Sequence, residues 1–181
     1  MDIKRMEEFY NQTFAGLAFF YRDTALSESL ISKYSVGQIL TERGFTDMTY
    51  KVGGLTTNCR YLIASAHAKS LSAIDPESEK TGHVLLFSDA FFKVLDIYKI
   101  GEKTQICLLE IPGMAIDIFA GTTSVTEVDI AKKAKENFEI HLNRAPVAEL
   151  QTQEWRERTQ FPIGMNDIGE FFYRGTTEGL E

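Results

Sequence analysis

Apolar positions recur with helical spacing at the start of the chain. Ile3, Met6, Phe9, Tyr10, Thr13, Phe14, Leu17, Phe20 and Tyr21 follow an i, i+3, i+4 rhythm, which predicts an amphipathic helix over 3–21. The charges Lys4, Arg5, Glu7 and Glu8 fall mostly off that stripe, and Gly16 inside it would permit close approach of a neighbour. Asp23 or Thr24 can cap a second helix carrying Leu26, Leu30, Ile31 and Tyr34. Ser35 with Gln38 fits a capping box for a short third helix, "VGQILTER", which Gly44 would stop.

From about residue 47 the period changes to alternation. "MTYKV" reads as a strand, and "CRYLIASA" from Cys59 suits a central one, being rich in apolar residues and poor in charge. A polar stretch, His67 to Gly82, separates it from "HVLLF" (His83 to Phe87). "FFKVLDIYKI", Phe91 to Ile100, fits either period, and its β-branched content favours a strand. "GEK" at 101–103 is a hairpin loop returning into "TQICLLEI". The turn dipeptide "PG" at 112–113 then leads into "MAIDIFAG", a further expected strand. After Gly121 the helical period resumes, with Ser124/Glu127 or Thr126/Asp129 as capping box and Val128, Ala131, Phe138 and Leu142 as the stripe. "VAELQTQEWRER" predicts another helix after Pro146, "FPIG" breaks it, and "EFFYR" (Glu170 to Arg174) is a short candidate strand.

Helices, then strands joined by short turns, then helices predict an α+β fold: N-terminal helices, an antiparallel β-meander of about five or six strands, and C-terminal helices packed on the sheet. One domain is expected over residues 1–175, with a frayed tail at 176–181. The apolar content of 44% is enough for a core without disulfide or metal. The net charge of −7 argues against nucleic acid and against an anionic membrane surface as partners. The start, "MDIKRMEEFY", is charged where a secretory signal is apolar, and the densest early apolar run, "FAGLAFFY", is too short to cross a bilayer. The expected setting is cytoplasmic.

Few residues carry a chemical signal. "GGLTTNCR" lacks the Gly-Lys of a P-loop and the third glycine of a dinucleotide fingerprint, so it reads as a turn in which Gly53 and Gly54 take positive φ. Cys59 reads as a buried structural thiol, and His67 lies too far along the same strand to be its base. The histidines at 67, 83 and 141 have no metal-ligand spacing, and Asp75, Glu77 and Glu79 begin a calcium-loop pattern that Lys80 and Leu86 break. Neither metal nor cofactor is expected. Asp89, Asp96, Glu110 and Asp117 are carboxylates near or within apolar segments, each needing solvent or a partner.

Two functional readings follow. The first is a binding or interaction module, homodimeric and without chemistry of its own, with interface candidates Phe19, Phe20, Trp155, Arg156 and Arg158. It rests on the aromatic stripe of the first helix and on "WRERTQF", and it allows an unidentified protein partner. The alternative is an enzyme or small-molecule binder whose site is assembled from distant segments, with Arg60, His67, His83 and a strand carboxylate as its polar groups.

Overall fold

A computed structural model describes residues 2–173. The first helix, α1, covers Ile3–Phe14, and the Asp2 side chain caps it by accepting from the Lys4 amide at 3.2 Å. Gly16 then takes φ +75°, a turn into the left-handed region that ends the helix. Ala18–Thr24 becomes strand β1. The expected helix over 3–21 is thus cut short, because consecutive Phe19, Phe20 and Tyr21 satisfy a strand as well as a helical stripe. Phe19 and Phe20, expected at an interface, pack instead into the two different hydrophobic clusters on either side of the sheet.

The next two expected helices shrink as well. Only Glu28–Ile31 is helical (α2), capped by Ser27 rather than by Asp23 or Thr24. Ser35 and Gln38 do pair, through the Ser35 amide and Gln38 Oε1 at 3.2 Å, but they close a turn with Gly37 at φ +88°. The following residues, Ile39–Glu42, form strand β2.

Strands β3 (Thr46–Thr49), β4 (Cys59–Ser65), β5 (Lys69–Ser70), β6 (His83–Leu86), β7 (Ala90–Ile100) and β8 (Lys103–Ile111) complete a sheet of eight among the described residues. Its order is β2-β7-β8-β4-β1-β3-β6-β5. The fold is α+β and mostly antiparallel, but with more strands than the expected five or six. Strands β4 and β8 run parallel, with Cys59 opposite Thr104, so the sheet is not a meander. All seven residues of β4 are buried. Tyr61 and Ile63 belong to one cluster, Leu62 and Ala64 to the other, so β4 is covered on both faces, as parallel strands are.

After β8 the expected strand at 114–121 is a helix. Gly113–Ala115 makes a 3-10 turn that runs into α3, Ile116–Ala120. The next helix, α4, spans Val125–His141 and starts with the Ser124/Glu127 capping box. Its buried side is Glu127, Ile130, Ala134 and Phe138, so the stripe is rotated from the expected one, and Val128 is 56% exposed. The last helix, α5 (Gln153–Thr159), is capped by Thr152 and starts later than expected, behind a 3-10 turn at Ala148–Gln151. The tail at 176–181 and Arg174 lie outside the described residues. Within "EFFYR", Phe171 makes only an isolated bridge to Met165.

Gly53 and Gly54 are glycines for a different reason than expected. Neither is among the residues with positive φ. A Cβ on Gly54 would lie 1.9 Å from the Arg144 carbonyl oxygen, and one on Gly53 would lie 2.7 Å from that of Ala145. The segment after α4 crosses them backbone to backbone, and Gly54 donates its amide to Ala145 at 3.1 Å.

Candidate functional site

Strands β1, β3 and β6 are neighbours, and each contributes one polar side chain to a common region. Arg22 of β1 is 5% exposed. Its Nη2 donates to the Phe161 carbonyl at 2.6 Å, while its Nε is buried with no hydrogen-bond partner among the described residues. Burial pushes the guanidinium below its ordinary pKa, and Tyr61, Glu42 and Asp47 act in the opposite direction. A buried donor without an acceptor is uncommon in a folded protein. Arg60 Nη1 is another here, but its guanidinium already holds the Asp23 carboxylate, whereas no carboxylate pairs with Arg22 among the described residues.

Asp47 of β3 and His83 of β6 form a dyad. Asp47 Oδ1 lies 2.7 Å from His83 Nε2. An ionised carboxylate only accepts, so Nε2 carries the proton and Nδ1 is the basic nitrogen. The imidazole is 6% exposed, and the edge-on Trp155 ring meets it with centroids 5.1 Å apart. Arg158 of α5 reaches in from outside, with Nη1 3.9 Å from Asp47 Oδ1 and Nη2 3.7 Å from Glu154 Oε1.

Two hollows meet at Arg158. One, of about 410 Å³, is lined by Arg22, Glu42, Phe45, Asp47, Arg158 and the chain from Phe161 onward. The other, of about 270 Å³, is lined by His83, Trp155, Arg158 and the acidic side chains Asp75, Glu77, Glu149 and Glu154. Phe45, at the rim of the first, packs edge-on against Phe87, with centroids 6.1 Å apart. Both rings are exposed, at 60% and 64%. The arrangement offers guanidinium donors for an anion, aromatic faces for a flat ring, and a histidine whose tautomer is fixed by a carboxylate.

The sequence candidates scatter. Arg60 lies near the start of β4 in a buried ion pair with Asp23 (2.6 and 2.8 Å) and donates to the Gly53 carbonyl at 2.9 Å. His67 lies beyond the other end of β4, half exposed, with Nδ1 3.3 Å from Glu110 Oε2. Ser65 Oγ donates to that same oxygen. The structure therefore does not bring Arg60, His67 and His83 to one place. Trp155 is buried against His83, Arg158 joins the cleft, and Arg156 bonds Gln151 on the surface at 3.0 Å. Of the strand carboxylates, Asp96 faces Lys135 at 3.7 Å, and burial raises its pKa. Cys59 and Cys107 are free and buried, and burial pushes both thiols up, which removes them as nucleophiles at neutral pH.

Arg22 and Asp47 were missed by sequence reasoning. The available signal was "FFYRDT": two adjacent charges inside an aromatic run, which mark buried, partnered charges when the run is a strand.

No family model and no curated protein matches the chain. Solved structures do. Vis toxin from Vibrio Splendidus, an ADP-ribosyltransferase, is 18% identical, with a TM-score of 0.43, over 55% of this chain and 50% of its own. The ADP-ribosyltransferase HopU1 of Pseudomonas syringae pv. Tomato is 16% identical, with a TM-score of 0.46, over 52% and 45%. Exoenzyme S from Pseudomonas aeruginosa, solved with a human 14-3-3 protein and Carba-NAD, is 12% identical, with a TM-score of 0.47, over 69% and 62%. The chain spans less than two thirds of each of these three proteins. Enzymes recur among these similar structures, which runs against the expected interaction module without chemistry of its own and against the expectation that the chain is not an enzyme. No helix among the described residues is long and apolar enough to cross a membrane.

Proposed function

We propose that the chain is an enzyme acting on an anionic small molecule that carries a flat ring, with its site in the cleft at Arg22, Asp47, His83 and Arg158. The observation that carries this reading is the buried Arg22 guanidinium with an unspent Nε, one strand away from the Asp47–His83 dyad. Arg22 and Arg158 hold the anion, since guanidinium forks suit phosphate and carboxylate. Phe45 and Phe87 receive the ring. His83 acts as general base or acid, with Asp47 fixing its tautomer.

NAD is the probe with which to test the site first. It carries a pyrophosphate and flat rings, and two of the similar structures, Vis toxin and HopU1, are ADP-ribosyltransferases. Calorimetric titration with NAD is expected to show one saturable site, weakened about tenfold or more by Arg158→Ala and by Arg22→Lys. Absence of binding, or binding that neither substitution weakens, would overturn the reading.

A second proposal concerns self-association. Ile3, Met6 and Tyr10 leave an apolar face of α1 exposed at 80%, 49% and 48%, and sedimentation of the wild type against Met6→Glu tests whether copies pair there.

A further inference from the structure

We propose that the cavity between β7 and α4 binds a small organic anion, a carboxylate or sulfonate on an apolar body. This cavity holds about 290 Å³ and shares no residue with the cleft around Arg22. Its floor is charged and closed to solvent. Lys93 is 3% exposed, Glu127 is 2% exposed, and their Nζ and Oε1 lie 2.7 Å apart. Lys93 also donates to the Thr122 carbonyl at 2.6 Å. An ammonium has three N–H donors. One is spent on Thr122, and the contact with Glu127 Oε1 is an ion pair in which that oxygen accepts no hydrogen bond, so donor capacity remains for a ligand.

The rim is basic. Lys132 and Lys135 line it, so three lysines face one carboxylate around the cavity. Lys132 makes no ion pair among the described residues, whereas Lys135 faces Asp96 at 3.7 Å. The walls are apolar, and part of that apolar surface is left open: Val36 and Val128 line the cavity while 64% and 56% exposed. A net positive surround with open aliphatic walls selects an anion with an apolar body over a bare ion.

Local backbone geometry makes the space. The β7–β8 ladder shifts register between Val94 and Asp96, leaving Leu95 as the extra residue of a bulge. A bulge bends its strand and re-aims side chains, and bulges recur beside binding sites. Val94 and Leu95 both line the cavity. Gly37, at φ +88°, closes the opposite wall and donates its amide to the Val94 carbonyl at 2.8 Å.

The test uses the full chain and anilinonaphthalene sulfonate, an anionic apolar fluorophore, with octanoate as competitor. The expected result is a single saturable fluorescence enhancement that octanoate displaces. Ala131→Trp, which fills the cavity, and Lys132→Glu, which reverses rim charge, are each expected to weaken it about tenfold or more. NAD binding at the other cleft should be unchanged in both variants, so failure here and failure of the proposed function read out separately. Non-saturable fluorescence, no displacement by octanoate, or affinity unchanged in Lys132→Glu would overturn the proposal.

Discussion

Two buried guanidiniums on neighbouring strands have opposite fates. Arg60 leaves its Nη1 unpartnered but is held by both Asp23 oxygens and the Gly53 carbonyl, which is the pattern of a structural ion pair. Arg22 spends one nitrogen on a neutral carbonyl and leaves Nε unused, which is the pattern of a binding group. Sequence alone singled out Arg60 and passed over Arg22, because partner identity depends on strand neighbours far apart in the chain. The glycine pair is a similar case. The expected reason, positive φ, does not hold, and the pair is instead required by steric contact with residues 144–146. Gly54→Ala is therefore expected to destabilise by about 3 kcal/mol or more through overpacking against backbone. Gly44→Ala, with open space around the new methyl group, should change stability by no more than about 0.5 kcal/mol. Urea unfolding of the two variants beside wild type checks the contrast.

At the scale of elements, legibility followed the strength of the local signal. The Ser124/Glu127 capping box, the β7–β8 hairpin at Gly101 and the central strand from Cys59 were all readable, because each is encoded within a few residues. Strands β1 and β2 were not, because their aromatic and aliphatic runs fit two periods and the deciding pairings lie far away: β1 with β4, β2 with β7. The strand expected at 114–121 failed for the converse reason. Alternation of Ala115, Asp117 and Phe119 mimics a sheet edge, while the turn at Gly113 directs the chain into a helix. The capping box yields a prediction. Ser124→Ala removes the acceptor for the Glu127 amide and should cost about 1 kcal/mol in thermal or urea unfolding. A loss below about 0.3 kcal/mol would contradict the cap's contribution.

For the molecule as a whole, the core holds several groups that must stay neutral. Tyr34 and Tyr61 share a buried hydroxyl hydrogen bond of 2.6 Å, and burial, with their mutual proximity, raises Tyr34 well above its ordinary value of 10.0. Burial likewise pushes up Tyr61, Cys59 and Cys107, the thiols from an ordinary value of 9.0. The unfolded chain loses these protons first, so it binds fewer than the folded state above about pH 9, and stability falls as pH rises. Each strongly shifted group removes about 1.4 kcal/mol per pH unit above its ordinary pKa. The urea midpoint should hold up to about pH 8 and drop clearly by about pH 10, and a flat profile across that range would contradict the packing described. The proposed site is also a property of the assembled sheet, since Arg22, Asp47 and His83 stand on consecutive strands only through the order β1-β3-β6. The direct test of that cleft as an active site is the rate of nicotinamide release from NAD by wild type and His83→Ala measured in parallel. Wild type is expected to turn NAD over, and the rate to fall about 100-fold or more in the variant, the loss typical of a general acid–base group. No release by the wild type, or equal rates in the two proteins, would contradict it.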